Sequence, residues 1–342
     1  MIDTIKIYTE ICKNTYDIIK SLSIVKNSID NSKNELIYEI INDHLEGSYD
    51  SHLSVRVGCG AKYGFVNQGY YIEIEGSYHK IVKGYNSHNG YYDLEFISKS
   101  LINIVELSYN IELPEFNNWY LQRCDIAICY DLGIQYNVKS YINSLSRCQY
   151  PRRNIKFYYD ESLYLSGTTT TLKIYNKMLE FKKHDIKKFI SNDFDLIKYL
   201  DIIKGFIRFE CEIKKKMLVK IYKEKNIKIM NVVYEDLKKV WCEEFMKLLK
   251  FIENDFDIVR GREEVKERLN KLFKPSKANR LYNFYCAIQL NGLIDTKENT
   301  SSSVYYRNIE DLKKAKIDFS QSYKIEECEI FYFNPFVAKE VA

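Results

Sequence analysis

The chain has 342 residues and a formal net charge of +4 at pH 7, and 46% of its residues are hydrophobic. This length provides a core for one large domain or two, and so mild a charge does not by itself indicate a nucleic-acid partner. No apolar stretch is long enough to span a bilayer, and the start of the chain lacks the apolar run of a signal peptide, so we expect a soluble, intracellular protein.

The cysteines and histidines give no zinc signature. The nine cysteines are scattered and include no CxxC pair, which is typical of free thiols in a reducing cytoplasm. None of the five histidines forms a His–apolar–His pair on a strand, which argues against a histidine-cluster site. His79 and His88 follow a predicted strand and are interpreted as loop histidines, although either could lend one ligand.

The sequence predicts mainly strands in the first two-thirds of the chain. An alternating strand at 3–10 is followed by a loop-rich region, and 53–77 predicts two or three strands separated by glycines. Apolar residues recur at helical spacing over 94–105. Alternation returns in the strand at 121–131, and 138–147 predicts a short helix.

Farther along, a hairpin is predicted to turn at Gly167, and 202–215 predicts one more strand. The pattern is helical after about Met217. A turn at Gly292, a polar loop and a final helix ending at Ile317 are similar to a helix-turn-helix unit. We therefore predict an α+β fold with a catalytic domain at 1–225 and a mainly helical, DNA-binding region at 226–342.

Four predicted strands have an unusually polar face, because residues i, i+2 and i+4 of a strand point the same way. The shared faces hold Glu73 and Glu75; Arg123, Asp125, Ala127 and Cys129; Lys173, Tyr175 and Lys177; and Arg208, Glu210 and Glu212. If the strands are adjacent, two or three carboxylates could converge on one hard cation such as Mg²⁺, which prefers oxygen ligands. Each strand alone also fits a solvated outer face with cross-strand ion pairs.

Several blocks resemble, in order, the rolling-circle replication initiators of filamentous phages, the gene II/X family, and their plasmid relatives of the Rep_trans type. The specific blocks are "QRCDIAICYD", "TLKIYNKMLE" and "GFIRFECEIKKKML", with softer matches from "MID" to the last helix. The resemblance implies an antiparallel sheet with helices packed on one face, in a divergent branch of the HUH/Rep nickases. The histidine pair that usually marks those nickases is absent from this sequence.

The resemblance also implies a chemistry. Tyr175 matches the family's nucleophile, which nicks and rejoins one strand at a replication origin through a 5′-phosphotyrosine. Because the histidine pair is missing, Glu73, Asp125 and Glu210 are the candidate ligands of a divalent ion, Mg²⁺ or Mn²⁺.

Neighbouring residues have supporting roles in this hypothesis. Lys177 would stabilise the phenolate or the phosphate, or else be a solvated strand lysine. Arg123, Arg208 and Lys173 would bind phosphate, and each arginine could equally pair with a neighbouring carboxylate. Glu180 would position Lys177 or cap the helix that follows.

The partners that this hypothesis implies are origin DNA, single-stranded at the nick and flanked by duplex, and a host helicase and polymerase, in the cytoplasm of a bacterial cell. Basic runs occur at Lys182–Lys188, at Lys214–Lys228 and in the segment ending at Arg280, and each also fits a solvated helix face. The runs after Glu210, with the helical C-terminal part, would hold the duplex. A non-catalytic DNA-binding replication regulator and a plasmid mobilisation relaxase are the alternative functions.

Overall fold

The structure is a computed structural model that describes residues 1–22, 24–30, 35–46, 52–59, 69–145, 150–158, 160–186, 196–253, 262–317, 335–336 and 340–341. The chain forms two compact units. The first comprises residues 1–142, 152–245 and 333–342, and the second comprises 143–151 and 246–332. The division of function between 1–225 and 226–342 stays a prediction.

The strands of the described residues all belong to one sheet. They are β1 (Ile2–Glu10), β2 (Ile24–Asp30), β3 (Glu35–Glu46), β4 (His52–Gly58), β5 (Tyr71–Gly76), β6 (Tyr120–Asp131), β7 (Asn154–Tyr158), β8 (Ser162–Ser166), β9 (Thr170–Asn176), β10 (Phe206–Lys214), β11 (Ile227–Lys228) and β12 (Glu340–Val341). The order is β2-β3-β4-β5-β1-β6-β10-β9-β8-β7, with β11 and β12 also paired to β6. Every pairing is antiparallel, and the predicted α+β class is confirmed.

The helices of the described residues lie between these strands and after them. They are α1 (Lys13–Leu22), α2 (Tyr78–Lys83), α3 (Leu94–Tyr109), α4 (Gln135–Ser144), α5 (Lys177–His184), α6 (Leu196–Ile203), α7 (Lys215–Tyr222), α8 (Tyr234–Glu253), α9 (Arg262–Leu272), α10 (Pro275–Glu298) and α11 (Ser302–Lys314). The predicted helical character of the chain after Met217 is confirmed.

Two sequence predictions about elements are wrong. The region predicted as loop-rich after the first strand contains α1, β2 and β3. The predicted turn at Gly292 lies inside α10, which continues to Glu298, so the helix-turn-helix spacing is not formed there. A glycine inside a helix costs only about 1 kcal/mol, which the neighbouring helical residues outweigh.

The hairpin at Gly167 is confirmed. β8 ends at Ser166, β9 begins at Thr170, and the Gly167 amide donates to the Thr170 carbonyl at 3.0 Å. This turn fixes which residues of the two strands face each other, because a hairpin sets its register at the turn. Tyr175 is therefore placed opposite Ser162.

One face of the sheet is apolar and is covered by α4 and α8. The Phe209 ring of β10 lies 5.2 Å from Phe245 and 6.1 Å from Tyr141, measured between centroids. The Trp241 indole donates to the Phe209 carbonyl at 3.2 Å. Burying an aromatic side chain of this size stabilises the fold by roughly 1.5–3 kcal/mol, so this face anchors the central strands.

The opposite face is polar, and α2 and α5 border a cavity on that side. The free-thiol prediction is confirmed for the seven cysteines that the structure describes; Cys148 and Cys328 lie outside the described residues, as do Lys187 and Lys188 of the first basic run. In the described part of the chain, no helix combines the length and apolarity needed to cross a membrane.

The second unit has a core of its own, formed by helices. Val265 and Leu269 of α9 pack with Leu281 of α10 and with Tyr305 and Leu312 of α11. All five are buried. The helical spacing of these residues in the sequence is the reason that α9, α10 and α11 can share one apolar interior.

Candidate active site

The register of the central strands brings the predicted polar residues side by side. Tyr175 of β9 lies opposite Arg208 of β10, and Lys173 lies opposite Glu210. On the other side of β10, β6 brings Asp125 to the same face. Three of the four polar strand faces are thus adjacent, as the convergence of carboxylates requires.

Three buried carboxylates meet on this face. Asp3, Asp125 and Glu210 each offer an oxygen, and these oxygens lie within 4.8 Å of one another. Carboxylate oxygens at this spacing are the ligands that a hard divalent ion prefers. Asp125 and Glu210 were predicted as ligands from the sequence, and Asp3 was not.

Asp3 reaches this face through an irregularity in β1. The pairing of β1 with β6 shifts register between Ile2 and Ile5, so both isoleucines lie on the apolar side. Strict alternation backwards from Lys6 would have placed Asp3 on that apolar side too. In the sequence, the only sign of Asp3 as a ligand was that an acidic residue stands beside the first apolar residues of the strand. Its place on the polar face follows from the bulge.

Three cations balance the cluster. The shortest nitrogen–oxygen distances are 2.6 Å from Arg123 to Asp125, 2.5 Å from Lys173 to Glu210 and 2.9 Å from Arg208 to Asp3. Burial raises the pKa of Asp125 to about 7 although Arg123 opposes the shift. Burial alone would raise the pKa of Asp3 as well, but Arg208 and His79 hold it well below its usual value.

Tyr175 adjoins the carboxylates directly. Its hydroxyl donates to Glu210 Oε2 at 3.1 Å, and only 6% of the residue is exposed. Burial raises the pKa of the Tyr175 phenol well above its usual value, and the guanidinium of Arg208 opposes that shift. A nucleophilic phenol here would need a proton acceptor and a neighbouring positive charge; Glu210 accepts its hydrogen bond, and Arg208 is its cross-strand partner.

Arg208 is itself held rigidly. It is fully buried, and its Nη1 donates to the Ser87 carbonyl at 2.9 Å. Its Nη2 lies 2.9 Å from Asp3 Oδ1 and its Nε lies 3.9 Å from Glu210 Oε2. Of the two roles open for Arg208, pairing with neighbouring carboxylates is the one that these distances show.

Lys177 does not share the strand face of Tyr175, contrary to the sequence prediction. β9 ends at Asn176, whose side chain accepts a hydrogen bond from the Leu179 amide and caps α5. Lys177 is the first residue of that helix, is fully buried, and donates to Glu180 Oε2 at 2.8 Å. Burial lowers the pKa of Lys177, and Glu180 opposes the shift.

Glu180 lines the cavity rather than capping α5, since Asn176 is the cap. Besides Lys177, it contacts Asn86, whose amide donates to Glu180 Oε1 at 3.0 Å. Burial would raise the pKa of Glu180, but Lys177 brings it below its usual value. Of the two roles predicted for Glu180, the structure therefore shows the pairing with Lys177 and not the capping of α5.

Glu73 lies apart from the three carboxylates. Its oxygen Oε2 is 3.4 Å from Lys6 and 3.7 Å from Arg56, and only 2% of its side chain is exposed. Among the described residues, it does not join the group formed by Asp3 and Asp125. The structure brings Asp125 and Glu210 together but leaves the third predicted ligand on another part of the face.

His79 is not a loop residue as expected. It lies in α2, is buried, and places Nε2 3.2 Å from Asp3 Oδ1. Ser77 Oγ lies 3.1 Å from its other ring nitrogen. Sequence spacing could not predict this contact, because His79 lies in α2 and Asp3 reaches the polar face only through the bulge in β1.

A cavity of about 620 Å³ opens over the cluster. The three carboxylates and Tyr175 line it together with Lys80, Lys156 and Lys183. Within the cluster, Asp3 Oδ1 is buried between Arg208 Nη2 and His79 Nε2, and the ligand oxygens of Asp3, Asp125 and Glu210 lie within 4.8 Å of one another, the donor type that a hard cation prefers. The residues present therefore fit a hard divalent cation.

The chain matches a known protein family over most of its length. The family Phage_CRI, which describes the N-terminal region of the phage gene II replication-associated protein, matches residues 1–235. No curated protein and no solved structure gives a significant match to the chain. The matched residues include every strand and side chain of the site described above.

Proposed function

The chain belongs to the Phage_CRI family of replication-associated proteins, through the N-terminal region of the phage gene II protein, and on this premise we propose that it nicks and rejoins one DNA strand to initiate rolling-circle replication. Membership itself makes the chain a phage replication-associated protein, for which origin DNA is the expected partner. The observation that supports the nicking chemistry is the hydrogen bond from Tyr175 to Glu210, within a group of three buried carboxylates.

In the proposed step, the Tyr175 phenol oxygen attacks the scissile phosphorus. A bond forms between that oxygen and phosphorus, and the bond from phosphorus to the 3′ oxygen breaks. The phenol proton passes to Glu210, which already accepts its hydrogen bond, and the leaving oxygen takes up a proton from solvent water to become a 3′-hydroxyl. Attack by a 3′-hydroxyl on the phosphotyrosine reverses the step and rejoins the strand.

The surrounding residues hold charge during this step. Arg208 faces Tyr175 across the strand pair and stabilises the developing phenolate. Lys173 and Arg123 line the cavity and are placed for phosphate oxygens, with the planar guanidinium suited to two of them. Lys177, held by Glu180, is a positioning residue at the start of α5.

A divalent ion, Mg²⁺ or Mn²⁺, would be held by Asp3, Asp125 and Glu210. When bound, it would polarise a non-bridging phosphate oxygen as a Lewis acid. Glu73, with Lys6 and Arg56 beside it, is a weaker candidate for this role.

The test uses Tyr175→Phe on a supercoiled plasmid that carries the genome of the replicon encoding this chain, with Mg²⁺. Wild-type protein is expected to relax the plasmid and leave a detergent-resistant protein–DNA adduct, and the variant is expected to do neither. Tyr8→Phe is the matched control, because Tyr8 is also a buried tyrosine of this sheet, with its hydroxyl 2.9 Å from Asn226.

Nicking by Tyr175→Phe at the wild-type rate would remove Tyr175 as the nucleophile. A wild-type protein that binds this DNA but forms no adduct would instead favour a non-catalytic replication regulator. Host helicase and polymerase partners belong to the same proposal and would be sought by reconstituting strand synthesis from the nicked plasmid.

A further inference from the structure

Two cross-strand rows of side chains run from the edge strand β7 to the site. One row consists of Lys156, Tyr164, Lys173 and Glu210, and the other of Tyr158, Ser162, Tyr175 and Arg208. Each row crosses β7, β8, β9 and β10 in turn. The rows therefore connect the outermost strand on this side of the sheet to the nucleophile and the carboxylates.

The outer end of these rows presents an aromatic ring to solvent. Tyr158 is 49% exposed, although it lies in a regular strand. Its ring meets that of Tyr164 edge-on, with centroids 6.0 Å apart and an angle of 88° between the planes. Tyr164 thus orients the Tyr158 ring, and 49% of Tyr158 remains exposed to solvent.

A lysine accompanies the ring on the same strand face. Lys156 is exposed and, among the described residues, takes part in no ion pair. Lys80 and Lys183 also line the cavity, and Lys183 lies 3.4 Å from Glu161 at an exposed position. The acidic groups of the cluster are buried while these lysines are not, so lysines supply positive charge in the more exposed part of the lining, next to the exposed Glu161.

This combination fits a polynucleotide whose bases are unpaired. Aromatic rings stack on bases of any sequence and lysines follow the phosphates, which is how single strands are held. A duplex buries its base faces in its own stack and offers nothing for an exposed tyrosine ring to cover. From β7 to β10 the rows span ~14 Å, enough for about four stacked nucleotides.

We propose that Lys156, Tyr158, Ser162 and Tyr164 form a track that leads single-stranded DNA to Tyr175. The track rests on the proposed function, because it identifies the DNA segment next to the scissile phosphate. Tyr158 stacks on one base, and Lys156 contacts the phosphate beside it. The remaining two side chains line the path to β9.

The experiment measures DNA binding without cleavage. The full chain with Tyr175→Phe is titrated, in EDTA, against a fluorescein-labelled mixed-sequence 12-nucleotide strand and against its duplex, by fluorescence anisotropy. Adding Tyr158→Ala is expected to weaken single-strand binding by about 5- to 150-fold. Tyr158→Trp should restore it, because the larger ring also stacks.

Tyr136→Ala is the matched control, since Tyr136 is 55% exposed on α4 and does not line the cavity. Its single-strand affinity should equal that of the Tyr175→Phe background. Lys156→Gln should reduce the slope of log affinity against log salt by about 0.7, the value for one phosphate contact on a single strand.

Single-strand affinity unchanged by Tyr158→Ala, or weakened equally for the duplex, would overturn the track. These outcomes are separate from a failure of the proposed function. Nicking by Tyr175→Phe would reject the nucleophile, yet the loss of single-strand binding in Tyr158→Ala would still establish the track.

Discussion

Two halves of the same polar sheet face carry the same kinds of side chain in different arrangements. Towards β4 and β5, Glu73 lies between Lys6 and Arg56. Towards β9 and β10, Asp125 and Glu210 converge with a third carboxylate beneath a cavity. Alternating charge is common to both halves, so it is the approach of like charges that distinguishes a candidate metal site from an ion-paired surface.

Arg123 lies at the boundary between the halves. Its Nη1 donates to Glu75 at 2.9 Å and its Nη2 donates to Asp125 at 2.6 Å. Its exposed fraction is 25%, so its charge remains partly accessible from solvent. One arginine thus pairs with a carboxylate in each half. Of these two carboxylates, only Asp125 belongs to the group of three that converge.

The largest expected effect comes from removing one carboxylate in each half. Asp125→Asn should lower the single-turnover nicking rate by about 10²–10³-fold, because Lewis-acid stabilisation is worth several kcal/mol. Glu73→Gln should stay within about 3-fold of wild type. Rates are measured with Mn²⁺ at saturating DNA, and far-UV circular dichroism verifies the fold of both variants. The reverse ranking would restore Glu73 to the ligand set.

The second comparison concerns the arginines. Arg208→Gln should lower the free energy of unfolding by about 3–5 kcal/mol, because Arg208 is fully buried and its loss leaves Asp3 uncompensated. Arg56→Gln should cost less than about 1 kcal/mol, since 37% of that side chain is exposed. Urea denaturation measures both. Equal costs would show that the two halves are alike in energy as well as in composition.

The third prediction uses pH. The folded pKa of Asp125, about 7, lies above its unfolded value of 3.8, so between these values the folded state binds more protons. The contribution of Asp125 to stability is therefore present at low pH and is lost as pH rises towards 7.

Urea denaturation of metal-free wild type and of Asp125→Asn between pH 4 and pH 8 isolates this contribution. We expect the stability of wild type, relative to the variant, to fall across that range and to level off above about pH 7. A difference that rises with pH would mean that Arg123, rather than burial, dominates the Asp125 pKa.

The smallest expected effect compares two lysines of nearly equal exposure, 20% for Lys173 and 19% for Lys6. Lys173→Gln should tighten Mn²⁺ binding by about 3- to 10-fold, because a cation 2.5 Å from Glu210 no longer opposes the metal. Lys6→Gln should leave the affinity within about 2-fold. Calorimetric titration with MnCl₂ measures both, and equal changes would mean that the metal binds elsewhere.

Alternation in the sequence was sufficient to place Asp125, Tyr175, Arg208 and Glu210 on polar strand faces, because a strand repeats every two residues. It failed where the local period changed. Lys177 begins a helix rather than continuing the strand. Alternation also could not distinguish Glu73 from Asp125 as a candidate metal ligand, since both are carboxylates on the polar face of a strand.

The sequence by itself determined the α+β class, the central strands and the tyrosine that faces their polar side, since local periodicity and ordered blocks carry that information. The tertiary structure decided which carboxylates meet. Asp3 joins Glu210 only through the bulge in β1, and Glu73 lies apart because β1 separates β5 from β6. Strand order and register are set by packing between distant segments, and no local pattern encodes them.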